Sequence, residues 1–301
     1  MERISFYDEI RNNKLKSIIL IFIIFIFLII LGYVISLILD PGYFFIIMSF
    51  AVIFSLSYVL VGYYNSDKIA LASVRAKPAL RDEHRMFFHA AESMAIASGL
   101  PMPKLYVMES QQINAFASGR DPEHAVICVT IGALNKLSKQ ELEGVIAHEM
   151  GHIANFDIRF MTLTAVLVGM IAIIAEILLR NMWFASHHEN RREGKTQLVI
   201  FLIAIIVAIF APLVTQLISL AISRKREFGA DSTAVKFTRY PNGLMNALEK
   251  IKHEHLSEQD RKNYPREIAP LFISDPFKRK IEGLFSTHPD INDRIKKLGM
   301  M

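Results

Sequence analysis

Apolar residues along this chain collect in four blocks, with polar, periodically patterned sequence between them. The first block, Ile18–Leu39, is uncharged over 22 residues, a helix of roughly 33 Å and long enough to cross a bilayer. Tyr43–Tyr64 repeats the pattern, and only Asp40-Pro41-Gly42 separates the two, which predicts a tight turn in a transmembrane hairpin. Met161–Leu179 and Leu198–Ser223 form a second pair. Between the pairs, Ala79–Ser98 has helical pattern and ends at Gly99 and Pro101. Three short β-rich runs follow at Lys104–Met108, Ile113–Ala117 and His124–Ile131. Ser138 with Glu141 three residues on then opens a helix whose apolar face is Leu142, Val145 and Ile146. Beyond the fourth block, Asn242–His253 is helical in pattern, a charged loop surrounds Glu258–Arg266, and a short helix opened by His288-Pro289-Asp290 runs to Leu298.

These blocks divide the chain into an N-terminal hairpin at 1–64, a polar stretch at 65–160, a second hydrophobic hairpin at 161–223 and a polar stretch at 224–301. Neither polar stretch is large enough to stand alone, so the two together are expected to make one domain. The predicted fold class is mainly α with a small β-sheet, in an integral membrane protein of about four transmembrane helices. A cleaved signal peptide does not fit, because the first block is too long and no small-residue cleavage site follows it.

Charge sets the orientation. Arg3, Arg11, Lys14 and Lys16 precede the first block, Lys68, Arg75, Lys77 and Arg81 follow the second, and Arg224, Lys225 and Arg226 follow the fourth. Cytoplasmic flanks carry such an excess, so the polar domain is expected on the cytoplasmic side of the cell membrane. The loop Arg180–Gln197, with Arg180, Arg191, Arg192 and Lys195, goes against this bias and makes full crossing by the second hairpin the weaker expectation. The net charge of +5 is explained by these flanks, and no basic stripe interleaved with aromatics calls for nucleic acid. Cys128 is the single cysteine, which excludes an intrachain disulfide and a cysteine-rich metal knuckle. Within the apolar run Ala125–Ile131 it reads as a buried, inert thiol.

The chemistry lies in His148-Glu149-Met150-Gly151-His152, an H-E-x-x-H pattern on the Ser138 helix. Residues four apart share a helix face, so the two histidines can hold one metal while Glu149 reaches a water on it. A catalytic zinc normally has three protein ligands. The pattern that places a third histidine six residues on needs Gly at 155 and His at 158, where this chain has Asn155 and Ile158. Glu227, directly after the fourth block, is the best candidate instead. His152 lies about nine residues before the third block and Glu227 about four beyond the fourth, which sets both roughly 6 to 14 Å from the bilayer surface. One intervening hairpin lets them meet. Asp231, four residues past Glu227 on the same face, is placed to accept the outer N–H of a ligand histidine; the alternative for both acids is a solvated surface role.

With these residues in place, the chain resembles the HtpX-type membrane zinc metalloproteases, relatives of the C-a-a-X prenyl proteases that bind zinc through two histidines and a distant glutamate. The resemblance covers the N-terminal hairpin, Asn114-Ala115-Phe116-Ala117-Ser118-Gly119, His148–His152 with Asn155 and Asp157 behind it, the second apolar pair, Ser223–Asp231, and Thr287-His288-Pro289 with Arg294. It implies a gluzincin-like protease domain and one Zn2+ per chain, held by His148, His152 and Glu227. Asp231, Asn155 and Asp157 would support these ligands. It also implies substrates that are misfolded or damaged membrane proteins, and a place in stress response and quality control. Glu149 would be general base and then general acid. Two further roles are weaker. Asn114, Ala115, Phe116 and Ala117 can form an exposed strand edge that adds a substrate peptide, or an ordinary inner strand. His288 can donate to the oxyanion at the substrate carbonyl, or simply cap its helix.

Two other functions compete. A C-a-a-X processing protease would have more membrane segments around a large chamber, and a catalytically silent zinc-binding scaffold would have no need of Glu149. Glu176 is expected to pair with Arg180 at the membrane interface, Trp183 and Phe184 to anchor there, and Pro212 with Gln216 to mark a kink. His89, His124, His187 and His188 lack ligand spacing with any partner.

Overall fold

The computed structural model of the chain describes residues 6–36, 41–167, 169–171, 176, 202–203, 205–206, 224–254, 271–274 and 290–301. Most of the third and fourth apolar blocks beyond Ile171, together with Trp183, Phe184, Pro212, Gln216 and His288, lies outside the described residues.

The first hairpin is built as its pattern predicts. Helix α1 spans Phe6–Ser36 and α2 spans Phe44–Tyr64, after a short turn at Pro41–Tyr43. Both are long and apolar enough to cross a membrane. Gly32 lets them touch, since a side chain there would fall 2.4 Å from the Ala51 Cβ. The helix starts well before the apolar block at Ile18. Its first turns carry polar residues, of which Asn13 and Ser17 are buried, so that part of α1 packs against protein instead of lipid.

Past a short helix, α3 at Ser66–Ser73, the chain forms a four-stranded mixed sheet. The strands are β1 at Lys77–Pro78, β2 at Lys104–Met108, β3 at Ala115–Gly119 and β4 at Ala125–Thr130, in the order β1-β2-β4-β3. The β2–β4 pair is parallel and the other two pairs are antiparallel. Helix α4, Arg85–Ser98, makes the crossover from β1 to β2 and ends at Gly99 in the left-handed conformation. It begins six residues later than its pattern suggests, because Lys77–Pro78 are drawn into the sheet and Ala79 N–H bonds the Leu105 carbonyl. Strand β3 likewise starts at Ala115 instead of Ile113. There the Asn114 side chain accepts from the Ala115 N–H and Thr130 Oγ1 accepts from the Asn114 N–H, which takes those groups out of the ladder.

Helix α5, Ile131–Lys136, leads to the motif helix α6, Lys139–Ala154. Ser138 accepts from the Glu141 N–H while the Glu141 carboxylate accepts from the Ser138 N–H, a complete capping box. All but a few of its residues are buried. It sits between the sheet, α4 and the helices Arg224–Thr238 and Pro241–His253, in one core with Phe87, Ile127, Val129, Leu142, Ile146 and Leu248. Two glycines permit this. A side chain at Gly144 would meet the Leu244 backbone at 2.4 Å, and one at Gly151 would meet the Ala230 backbone at 3.2 Å. Cys128 is buried in β4 and free of disulfide, its thiol pushed well above the usual range by burial. The last helix, Ile291–Leu298, starts at Asp290, whose side chain accepts from the Asn292 N–H.

Candidate metal centre and its polar frame

On α6 the side chains of His148 and His152 project together from the buried face, with their Nε2 atoms 3.2 Å apart. The close approach at Gly151 brings the Arg224–Thr238 helix across them. Glu227 thereby comes within 3.6 Å of His148 Nε2 through Oε2 and 3.7 Å of His152 Nε2 through Oε1. A zinc ion with bonds of roughly 2.0–2.2 Å in tetrahedral geometry needs its ligand atoms about 3.3–3.5 Å apart, so the three residues fit a shared metal. Each histidine turns its Nδ1 to a carboxylate: Asp231 Oδ1 lies 2.9 Å from that of His148, and Asp157 Oδ2 lies 3.0 Å from that of His152. These partners take the Nδ1 protons and leave the Nε2 lone pairs facing Glu227, the tautomer that metal binding requires.

Charge agrees with geometry. Glu149, Glu227, Asp231 and Asp157 are all buried, and the guanidinium groups buried beside them among the described residues are Arg294 and Arg226. With every carboxylate ionised and both histidines neutral, as metal ligation requires, two negative charges are left over, a deficit that a divalent cation offsets. Arg294 is 2% exposed and bonds Asp231 at 2.9 and 2.7 Å through Nε and Nη2, while its Nη1 stands 3.3 Å from Glu227 Oε2. Asp231 is buried, which alone would raise its pKa, but Arg294 and His148 together hold it well below the usual carboxylate range. Burial and the Arg294 charge lower the pKa of His148. For His152 burial opposes the charged form, yet the Asp157 bond and the Glu227 charge prevail and raise it to about 9.

Glu149 differs from the other acids. Burial raises its pKa to about 7, opposed by His152 and assisted by Glu227. Both its carboxylate oxygens are buried without a partner of standard hydrogen-bond geometry, and the ionised form is favoured by the His152 charge, by an approach of the Ala117 backbone N–H and by the Arg294 charge. A buried carboxylate left unsatisfied beside three groups that could hold a metal marks a candidate functional site.

Asn155 caps the end of α6 and takes part through its carbonyl, which accepts from Asn13 Nδ2 at 3.0 Å. The expected substrate edge differs from its prediction. Strand β3 is an edge strand of the sheet, but it is not exposed: all five residues are buried. Phe272 forms an antiparallel bridge with Phe116, and the Ile273 N–H bonds the Ala115 carbonyl at 2.9 Å, so a later part of the same chain covers the edge. Three participants were not expected at the metal site from the sequence, although Arg226 was placed among the flanking charges and Arg294 among the residues of the family resemblance. Arg226 donates to Asp157 Oδ1 at 2.6 Å, Asn13 donates to the same atom at 2.7 Å, and Arg294 reaches both Asp231 and Glu227. The signal for Asn13 was faint, a buried-type amide placed one helical turn before an apolar block.

Residues 83–301 match the model of peptidase family M48. The chain belongs to this family. It is 40% identical over 301 residues to the protease HtpX homolog of Dictyoglomus thermophilum, covering 100% of this chain and 96% of that one. It is 45% identical over 258 residues to the protease HtpX homolog of Caldanaerobacter subterraneus subsp. tengcongensis, covering 83% of each. The crystal structure of S. mikatae Ste24p aligns with a TM-score of 0.45 at 18% identity, over 83% of this chain and 64% of that one, a likeness too distant to decide the fold. This M48 peptidase is therefore a membrane metalloprotease, a hydrolase of peptide bonds, as its resemblance implied.

Proposed function

We propose that this M48 peptidase is a zinc endopeptidase whose active site lies at the cytoplasmic face of the cell membrane, with one Zn2+ per chain. The convergence of His148, His152 and Glu227 around one point, with the unsatisfied Glu149 beside it, carries the reading. Asp231 and Asp157 orient the two histidines, and Asn155 fixes the turn behind them. When bound, the metal supplies Lewis acidity that activates a water and polarises the scissile carbonyl.

The rest is done by the chain's own groups. Glu149, with a pKa near 7, is matched to accept a proton near neutral pH at its carboxylate and return it to the leaving amine. His148, Glu149, His152 and Glu227 are themselves all buried, and so dry a place sharpens every charge in the site. Strand β3 from Ala115 and the preceding Asn114, with Phe116 and Ala117 along the same edge, would offer an extended substrate its backbone groups once Phe272 and Ile273 leave that edge. His288, just before the helix that carries Arg294, is assigned to the oxyanion of the substrate carbonyl.

The finer architecture follows the sequence. Two hydrophobic hairpins, at 1–64 and 161–223, anchor a gluzincin-like domain assembled from 65–160 and 224–301. Basic flanks favour the cytoplasmic side, and the direct packing of α6 on the Glu227 helix is why both halves are needed. Substrates are membrane proteins or unfolded polypeptides presented at the bilayer, and misfolded or damaged membrane proteins suit a site placed so close to it.

The test is purification in detergent without zinc, followed by addition of the metal to wild type and to Glu149→Gln with an unfolded membrane protein as substrate. Wild type should cleave only with metal. Glu149→Gln should bind one zinc and cleave nothing; a Glu149→Gln protein as active as wild type would sink the assignment.

A further inference from the structure

The segment that covers β3 is held in an unusual way for a structural strand. Its described part, Leu271–Ser274, buries Leu271 and Phe272 in the core around Phe160 and Ile273 in the core around the motif helix, and its backbone makes three bonds besides. The Ile273 N–H bonds the Ala115 carbonyl at 2.9 Å, Asn114 Nδ2 donates to the Ser274 carbonyl at 3.0 Å, and Arg294 Nη1 donates to the Ile273 carbonyl at 3.1 Å. Any extended peptide offers the same three groups, whatever its sequence. Among its side-chain contacts is an aromatic one: the Phe272 ring meets that of Phe116 edge to face, centroids 5.2 Å apart.

The place of these bonds matters as much as their kind. The Arg294 nitrogen that holds the Ile273 carbonyl also stands 3.3 Å from Glu227 Oε2, and Ala117 on the same strand approaches Glu149. The segment therefore runs along the edge that a substrate would need, within one side chain of the candidate metal ligands. Its residues Leu271, Phe272 and Ile273 are 2%, 1% and 3% exposed, and their presence leaves no open strand edge on β3.

The geometry points to Leu271–Ser274 as an internal occupant of the substrate cleft, a strap that a substrate must displace and whose antiparallel course and backbone bonds the substrate then repeats. This rests on the endopeptidase reading of the site. It names a substrate class: an extended segment with a large apolar or aromatic side chain against Phe116, its neighbouring carbonyl taken by Arg294. An enzyme so covered selects for chains that are already unfolded and locally concentrated, because only these compete with a strap tethered in the cleft.

The test uses binding, so that it does not depend on cleavage. In full-length Glu149→Gln protein in detergent, the probe is a fluorescein-labelled peptide copying Leu271–Ser274 between glycines, read by anisotropy. Ile273→Pro removes the N–H that bonds Ala115, and Phe272→Ala removes the ring from Phe116. Either should tighten peptide binding by about tenfold, the scale of one lost contact in the competitor. Circular dichroism and retained zinc identify folded variants. Folded strap variants of both kinds that bind the peptide no better than their parent overturn the proposal. The two readings fail separately. Tight peptide binding on strap release, in a wild-type-Glu149 protein that cuts nothing, would sink the protease and keep the strap. Zinc-dependent cleavage with no gain in peptide binding would do the reverse.

Discussion

Asp157 offers a sharp test of how the metal centre is held. Its carboxylate does three things at once: Oδ2 orients His152 at 3.0 Å, and Oδ1 takes Arg226 at 2.6 Å and Asn13 at 2.7 Å. Asp157→Ala removes the orienting partner of a ligand histidine, a change that typically costs 10–100-fold in metal affinity, or about 1.4–2.7 kcal/mol. It also takes a buried carboxylate partner from the Arg226 guanidinium, only 8% exposed, and removing one partner of such a pair costs about 3–5 kcal/mol of stability. The two effects separate by choice of variant. Arg226→Met removes the stranded charge but leaves Asp157 facing His152, so it should lower stability without weakening the metal site. Asp157→Asn keeps an oxygen for one partner only and should fall between. Zinc affinity is read by competition with a fluorescent chelator in detergent, and stability by denaturant unfolding of the metal-free protein. If Asp157→Ala binds zinc as tightly as wild type, or Arg226→Met loses as much affinity as Asp157→Ala, the orienting role is refuted.

Other expected outcomes concern the helix that carries the pentapeptide. Gly144→Ala pushes a methyl to 2.4 Å from the Leu244 backbone, where no flexible side chain can yield, so it should cost about 1–3 kcal/mol or more as the Pro241–His253 helix is forced away; an unchanged unfolding midpoint would contradict the packing. Ser138→Ala breaks one half of the capping box and should cost about 1 kcal/mol in the same assay, while leaving bound zinc unchanged because the cap lies more than two turns from His148.

How much of this was legible in the sequence depended on whether the signal was local. The capping box, the apolar hairpin and the i, i+4 histidines follow from spacing alone, and each appears in the structure where its residues put it. Glu227 and Asp231 were reachable by asking which acid could return to the height of His152 after a hairpin. Arg226, Arg294 and Asn13 were not, because a buried ion pair or amide is written in two distant places and neither place looks unusual by itself. Strand β3 was expected either as an exposed edge or as an ordinary inner strand, since its alternation is only strand-like, and nothing in Leu271–Ser274 announces that it will lie there. The backbone contacts that hold that segment carry no side-chain signature. Helix α4 starts late for a similar reason, since the two-residue strand Lys77–Pro78 is specified by its partner β2 and not by its own pattern.

Asn13 belongs to the first apolar helix, seventy residues before the region that defines the family, yet its amide closes a ring with Asp157 and Arg226 directly behind His152, a candidate metal ligand. A hydrogen bond of 2.7 Å tolerates little. Moving α1 along its axis by one residue, about 1.5 Å, would break it. The ring thus closes at one depth of the anchor relative to the catalytic helices, and whatever sets that depth, including the thickness of the surrounding lipid, enters the free energy of the metal site.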